Sequence, residues 1–389
     1  MAGNSWTILS FAFRPFFLLG ALFGMVAVLV WLAVLHGSGW VPAATDPIAW
    51  HAHEMLFGFA GAAIAGFLLT AVATWTGRPK VAGPLLGALV AAWLVGRCAM
   101  LLGRLLPDAA VAIADLAFPI LLAAIALREI IGGNSRRNFG IAAVMVAFAA
   151  LDGVFHLGRS GLWPGADRVA LLLTAYGLLV LITVVGGRII PSFTGNWLKL
   201  RGDANLPRSR PWVEAFLIPL VVLVGLADSL EAPAILTGIL SLAAAALHAW
   251  RLSGWRGQAT GAEPLVAILH VAYAWLPIGY LLLGLTALGL PLPRSAALHA
   301  LTMGGVGTMI LAVSTRVALG HTGRALKAAP LTVLAYVALS VAVIIRILSP
   351  LVPGASLALI DAAAAGWVAA FGLFLVVYWP ILTRPRTRI

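Results

Sequence analysis

The sequence predicts an all-α, polytopic integral membrane protein: a single transmembrane domain over residues 1–389, with about twelve spanning helices in three four-helix units. Three observations predict it. Hydrophobic residues make up 62% of the chain and charged residues only 10%, too few to cover a soluble domain. The apolar residues gather in runs close to the roughly 20 residues that a helix needs to cross a bilayer. A sequence pattern that opens the second run returns at the opening of the tenth.

The runs lie near 15–36, 50–74, 82–103, 108–129, 138–157, 168–190, 212–230, 232–250, 264–288, 295–318, 329–349 and 356–382. The loops between them are short and leave no room for a soluble domain. The first run is long and lacks a small-residue cleavage site, so it reads as a retained span and not as a signal peptide. The net charge of +12 is concentrated in the loops that follow even-numbered runs: Arg78, Lys80, Arg136, Arg137, Lys199, Arg201, Arg208, Arg210, Arg251, Arg256, Arg324 and Lys327. Arg384, Arg386 and Arg388 add to it in the tail, whereas the other loops hold only Arg104, Arg159, Arg168 and Arg294. By the positive-inside rule both termini are cytoplasmic, and the basic balance serves topology and contact with anionic lipid, not nucleic acid. The one cysteine, Cys98, excludes a disulfide framework, an iron–sulfur cluster or a thiolate metal cage.

The repeat defines the three units, approximately 14–130, 138–250 and 264–382. Trp50-His51-Ala52-His53-Glu54-Met55 and His299-Ala300-Leu301-Thr302-Met303 each open an apolar run that closes on Thr-Gly-Arg, at Thr76-Gly77-Arg78 and Thr322-Gly323-Arg324. Thr194-Gly195-Asn196 is a third, degenerate copy. Arg97 in the third run matches Arg346 in the eleventh, and Asp115 in the fourth matches Asp361 in the twelfth. Glycine is expected to end a helix at each Thr-Gly site.

Ionisable groups inside a span are costly and face a cavity or a partner. The topology puts His36, His51, His53, His156 and His299 toward the outer face, and His248, His270 and His321 toward the cytoplasm. His51 and His299 share a depth on repeat-related helices, an arrangement that suits the two axial ligands of a haem. His53 lies about 200° around the helix from His51, so it serves a different site. His156 is a candidate co-ligand of a second metal, with Asp152 one turn before it as an orienting acceptor. Copper favours imidazole and accepts thioether, which brings in Met55 and Met303 as weak candidates. Glu54 either relays protons or orients a metal-bound histidine; its bland role is a carboxylate in the first turn of a helix. Arg97 and Arg346 either hold haem propionates or pair internally with Asp115 and Asp361, and the internal pairing is favoured. His270 with His321 forms a weaker, cytoplasmic-side candidate pair. Packing is the bland alternative for each lone histidine, and His36 and His248 read as interfacial or loop residues.

The chain resembles the NnrS family. The resemblance rests on Phe13-Arg14-Pro15-Phe16-Phe17, on Trp50 to Gly58, on Trp75-Thr76-Gly77-Arg78-Pro79, on Gly186-Gly187-Arg188-Ile189-Ile190-Pro191, on Asn196-Trp197, on His299-Ala300 and on Gly320-His321-Thr322-Gly323-Arg324. It implies a bacterial inner-membrane protein with haem b and copper and a role in the response to nitric oxide. The layout is also similar to that of haem–copper oxidase and nitric oxide reductase catalytic subunits. The chain departs from that pattern by lacking histidine in the sixth run and a His-His pair in the seventh. The leading expectation is a protein that handles nitric oxide, reducing it with electrons from a periplasmic or membrane donor. The alternatives are a non-catalytic binder or sensor, separable by turnover, and a secondary transporter, which would carry no tightly bound chromophore.

Overall fold

The computed structural model describes residues 7–38, 46–352 and 354–387; the tail residue Arg388 lies outside them. It contains twelve helices long and apolar enough to cross a membrane. They are α1 (Phe13–Leu35), α2 (Pro47–Thr76), α3 (Gly83–Leu101), α4 (Asp108–Gly132), α5 (Arg136–Arg159), α6 (Ala166–Leu200), α7 (Pro211–Ser229), α8 (Ala234–Ser253), α9 (Pro264–Ala287), α10 (Arg294–His321), α11 (Pro330–Leu351) and α12 (Ser356–Thr383). No strand occurs among the described residues. In lipid every backbone polar group must be satisfied internally, and an unbroken helix does this for each apolar run.

The chain forms two compact units. Among the described residues, the first comprises 7–38, 46–174, 314–325 and 374–387; the second comprises 175–313, 326–352 and 354–373. In the first unit α2 packs on α1 and α4, and α4 packs on α3 and α5. In the second unit α8 packs on α7 and α9, and α9 packs on α10. The core of the first unit is rich in large rings, with Phe13, Phe16, Trp50, Phe57, Trp93, Phe118 and Phe155 almost fully buried. Many large apolar side chains also point outward, as lipid contact requires; Leu29, Ile113, Ile120 and Val376 are all exposed.

Local signals explain the helix ends. Asp46 accepts a hydrogen bond from the Ile48 backbone N–H and Pro47 occupies the first helical position, so α2 starts sharply. At its other end the Thr76 hydroxyl donates to Val72 O, and Gly77 takes the left-handed conformation at φ 68°. The Thr322-Gly323 copy repeats this, with Thr322 donating to Ala318 O and Gly323 at φ 70°. The third copy differs from expectation. Thr194 and Gly195 lie inside α6, which continues to Leu200 and turns only at Gly202 (φ 73°). Asn196-Trp197 follows Gly195 where arginine follows in the other copies, and the helix does not stop there.

Two helices share an irregularity. In α2 the backbone widens to π-helix over Glu54–Ala60, directly after His53. In α10 it does so over Ala300–Gly307, directly after His299. Such segments are rare and concentrate at functional sites, because one extra residue per turn re-aims the side chains around it. The repeated histidine motif therefore coincides with a repeated backbone distortion.

Candidate metal centre

His53 ends the regular first turns of α2, and the π-helical segment begins at Glu54. Around His53 the helices α3, α4 and α5 contribute Arg97, Asp115, Asp152 and His156. All are deeply buried: His53, Asp115 and Asp152 expose 0% of their surface, Glu54 1%, Arg97 5% and His156 7%. The His53 ring lies between two phenyl rings, Phe57 at 4.8 Å and Phe155 at 4.3 Å. Close packing of this kind removes its rotational freedom.

The two imidazoles converge on two carboxylates. His53 Nε2 is 2.9 Å from Asp152 Oδ1 and 3.1 Å from Asp115 Oδ2. His156 Nε2 is 3.0 Å from the same Asp115 oxygen and 3.9 Å from Asp152 Oδ1. One ligand atom from each of the four residues lies within 4.8 Å of the other three. Ligand atoms bonded at about 2.0–2.2 Å to a single ion sit roughly 3–4 Å apart, so this spacing suits one cation.

A second layer holds the first. His53 Nδ1 is 2.9 Å from Glu54 Oε1, the carboxylate–histidine arrangement that fixes a metal-binding ring by its other nitrogen. Arg97 donates through Nη1 to Glu54 Oε1 at 2.5 Å and through Nη2 to Asp115 Oδ1. The guanidinium thereby turns the second Asp115 oxygen toward the histidines. Room for this arises from glycine. A Cβ on Gly96 would lie 3.0 Å from Asp115 Oδ1 and 3.1 Å from Asp115 Cα, and one on Gly58 would lie 3.1 Å from Arg97 Nη1.

The charge count decides what the cluster wants. Glu54, Asp115 and Asp152 bring three negative charges and Arg97 one positive charge. Buried charge is tolerated only when compensated, because each uncompensated ion costs several kcal/mol even after relaxation. With both imidazoles neutral and the carboxylates ionised the set carries a net charge of −2, which a divalent cation would balance. Asp152 Oδ2 and Glu54 Oε2 are buried without a hydrogen-bond partner, which leaves acceptor capacity in the cluster. Both nitrogens of His53 face carboxylate oxygens, Nδ1 toward Glu54 and Nε2 toward Asp115 and Asp152, and a metal ion would bind on the Nε2 side.

The matching family model covers residues 7–386. The chain belongs to the NnrS protein family. No curated protein matches it. NnrS membership points to a multi-pass membrane protein of the nitric oxide response, and in this NnrS-family chain the buried His/Asp cluster is able to bind a metal ion.

The other candidate residues of this NnrS chain have separate surroundings. His51 stacks on Trp31 of α1 at 4.8 Å, away from the cluster that His53 joins. His299, in the second unit, donates through Nδ1 to Ser295 O at 2.7 Å. Of the two readings for Arg97, the internal pairing with Asp115 is present, and Glu54 joins it. Arg346 Nη1 reaches Ser349 Oγ at 3.3 Å. His321 stands against Phe11 and Phe13 in the first unit. His270, in the second unit, meets Thr194 Oγ1 at 2.8 Å.

The structure overturns the reading of His248 as an interfacial or loop residue. It is 0% exposed, stacks on Tyr280, and lies 2.8 Å from Tyr273 Oη. Arg251, one turn on, donates to the same Tyr273 oxygen, to Thr183 O and to Glu214. Helix α8 runs to Ser253, so position 248 is more than a turn inside it. Gly187 of the Gly186-Gly187-Arg188 motif makes room for the Arg251 guanidinium: a Cβ there would lie 1.9 Å from Nη2. The sequence reading also missed that Asp115 serves His53 and His156 together with Arg97. The signal available was Asp115 itself, a carboxylate in mid-span.

Proposed function

We propose that this NnrS-family chain is a haem b- and copper-containing protein of the bacterial inner membrane that handles nitric oxide. Its copper would be held by His53, His156, Asp115 and Asp152. One observation carries the metal assignment: two imidazole nitrogens and two carboxylate oxygens lie within 4.8 Å of one another in a buried cluster. Imidazole with carboxylate suits Cu²⁺, which heads the affinity order of the divalent first-row metals, and the resemblance that implies copper agrees. Bound there, copper would supply a redox-active centre able to bind nitric oxide.

The residues around it do the positioning. Glu54 accepts from His53 Nδ1 and presents Nε2 to the ion. Arg97 holds Glu54 and Asp115 in register. Phe57 and Phe155 keep water from the imidazole. Glu54 is a positioning residue in this account, because its Oε1 is already shared between His53 and Arg97. His51 and His299 remain the proposed axial ligands of the haem, supported by their matching places in the sequence repeat, Trp50-His51-Ala52 and Leu298-His299-Ala300. Three four-helix units and cytoplasmic termini are supported by the repeat and by the positive loops.

Reduction of nitric oxide is the finer proposal. Joining two molecules to nitrous oxide and water consumes two electrons and two protons, so it requires an electron donor at the membrane or outside it. The rival is stoichiometric binding. Metal analysis of purified protein, followed by nitric oxide consumption with excess reductant, separates them. Sustained consumption supports the reductase, a single stoichiometric uptake supports the binder, and protein free of copper and haem refutes both.

A further inference from the structure

The first unit carries a second polar cluster, far richer in positive charge than the first is in negative. Arg14 is at the start of α1 and only 3% exposed. Its Nη1 donates to Leu382 O at 2.6 Å and to Arg384 O at 2.7 Å, so it ties α1 to the end of α12. Its Nε is buried and makes no hydrogen bond. The segment after α12 then folds back on the Thr-Gly-Arg turn: the Thr387 backbone N–H donates to Thr322 O at 3.0 Å, and its hydroxyl donates to Gly323 O at 2.7 Å. This brings Arg386 against Gly323, where a Cβ would meet Arg386 Cγ and Nε at 3.3 Å. Lys80, two residues past the other Thr-Gly-Arg motif, sits over the Phe11 ring at 4.1 Å, and Phe11 in turn touches Phe13 and His321.

Arg14, Lys80, Arg324, Arg384 and Arg386 therefore gather around the contact of the segment after α12 with the Thr322–Gly323 turn and with Phe11 and Phe13. None has a carboxylate within ion-pair distance among the described residues, whereas the neighbouring Arg78 and Arg128 both pair with Glu129. Burial together with the charges of Arg14 and Arg386 pushes the Lys80 ammonium below its ordinary value. Burial and the charge of Arg384 do the same to Arg324. These cations repel one another, and topology alone asks only for positive charge on the loops, not for convergence around a buried arginine.

We propose that the cluster formed by Arg14, Lys80, Arg324, Arg384 and Arg386 is a binding site for a phosphate group. Arginine forks match phosphate oxygens in a bidentate way, and a dianion relieves the repulsion of the whole set. The second Thr-Gly-Arg motif thereby gains a purpose besides helix termination: its Arg324 joins the set, with the turn carrying Gly323 clasped by Thr387, and Lys80 joins from the loop after the first motif. The phosphate can belong to an anionic phospholipid headgroup or be free in solution. The inference is independent of the metal centre.

The test uses the full-length protein in detergent, with inorganic phosphate followed by calorimetry and phosphatidylglycerol against phosphatidylcholine followed by native mass spectrometry. The double variant Arg324→Gln/Arg386→Gln should lose about tenfold or more in affinity, the loss of one to two charge-assisted hydrogen bonds. Arg136→Gln/Arg137→Gln removes the same charge from another exposed loop of the unit and should change affinity little. Tight phosphate binding identifies a free anion; selective retention of phosphatidylglycerol identifies a lipid. Lys80→Gln, an exposed single change, should weaken binding in the same sense and stands alone if the double variant does not fold. Equal losses in the two double variants, or binding of neither probe by the wild type, overturns the proposal.

Discussion

Replacing Glu54 by glutamine separates positioning from ligation. The substitution keeps shape and burial but removes the charge that accepts from both His53 Nδ1 and Arg97 Nη1. Two consequences follow from the geometry. His53 loses the carboxylate that orients its ring and raises its basicity. Arg97 loses one of its two carboxylates, which frees it to pull Asp115 away from the histidines. Loss of such an outer partner typically costs 10–100-fold in metal affinity, which is about 1.4–2.7 kcal/mol. The site also becomes one negative charge poorer, which acts in the same direction on a divalent cation. The assay is competition between the purified protein and a chromophoric chelator for copper, with His51→Ala as a control that leaves this cluster intact. A tenfold or greater loss in Glu54→Gln with no change in His51→Ala is expected. Unchanged copper affinity in Glu54→Gln would refute the reasoning, since it would mean that the ion lies elsewhere or that the His53–Glu54 contact does not orient a ligand.

Further outcomes follow from the same geometry. Metal affinity should rise with pH, because imidazole and carboxylate ligands must be deprotonated to bind an ion; equal affinities across the pH range would contradict ligation by these groups. Gly96→Val should lower stability by about 1–3 kcal/mol or more, as overpacking does, and weaken metal binding as well, because its side chain occupies the space of Asp115; thermal unfolding and the chelator assay check both. Gly187→Ala should destabilise the second unit by forcing Arg251 from Thr183 and Tyr273, visible as a lower melting temperature, while Gly140→Ala, where a Cβ meets nothing, should not. His51→Ala and His299→Ala should each alter or abolish the haem Soret band; spectra identical to wild type would remove both from the haem assignment.

Much of the fold was legible because a membrane makes one demand on every span. Apolar length alone locates the twelve helices, and the ends agree within a few residues except at α6. There a glycine read as a terminator is carried through by a helix that continues past it, since Thr-Gly without the left-handed turn stops nothing. The site was legible in parts. Asp152 with His156 follows from helical spacing, and Arg97 with Asp115 from matched positions in the repeat. Their convergence was not legible. Which face of α2 meets α4 and α5 depends on rotation about the helix axis, and the π-helical turn after His53 shifts that rotation. Ala/Leu/Gly-rich spans give no amphipathic stripe from which to read it. His248 illustrates the same limit, because a histidine near a helix end reads as interfacial until Tyr273, Tyr280 and Arg251 are seen to enclose it.

The most direct test of the central claim is a crystal structure of the purified protein with anomalous diffraction recorded on both sides of the copper absorption edge. A single anomalous peak about 2 Å from His53 Nε2 and His156 Nε2, with Asp115 and Asp152 oxygens completing the coordination, is the predicted result. Copper bound elsewhere in the molecule, with His53 still hydrogen-bonded to Asp152 and Asp115 and no peak between the two histidines, would contradict the account.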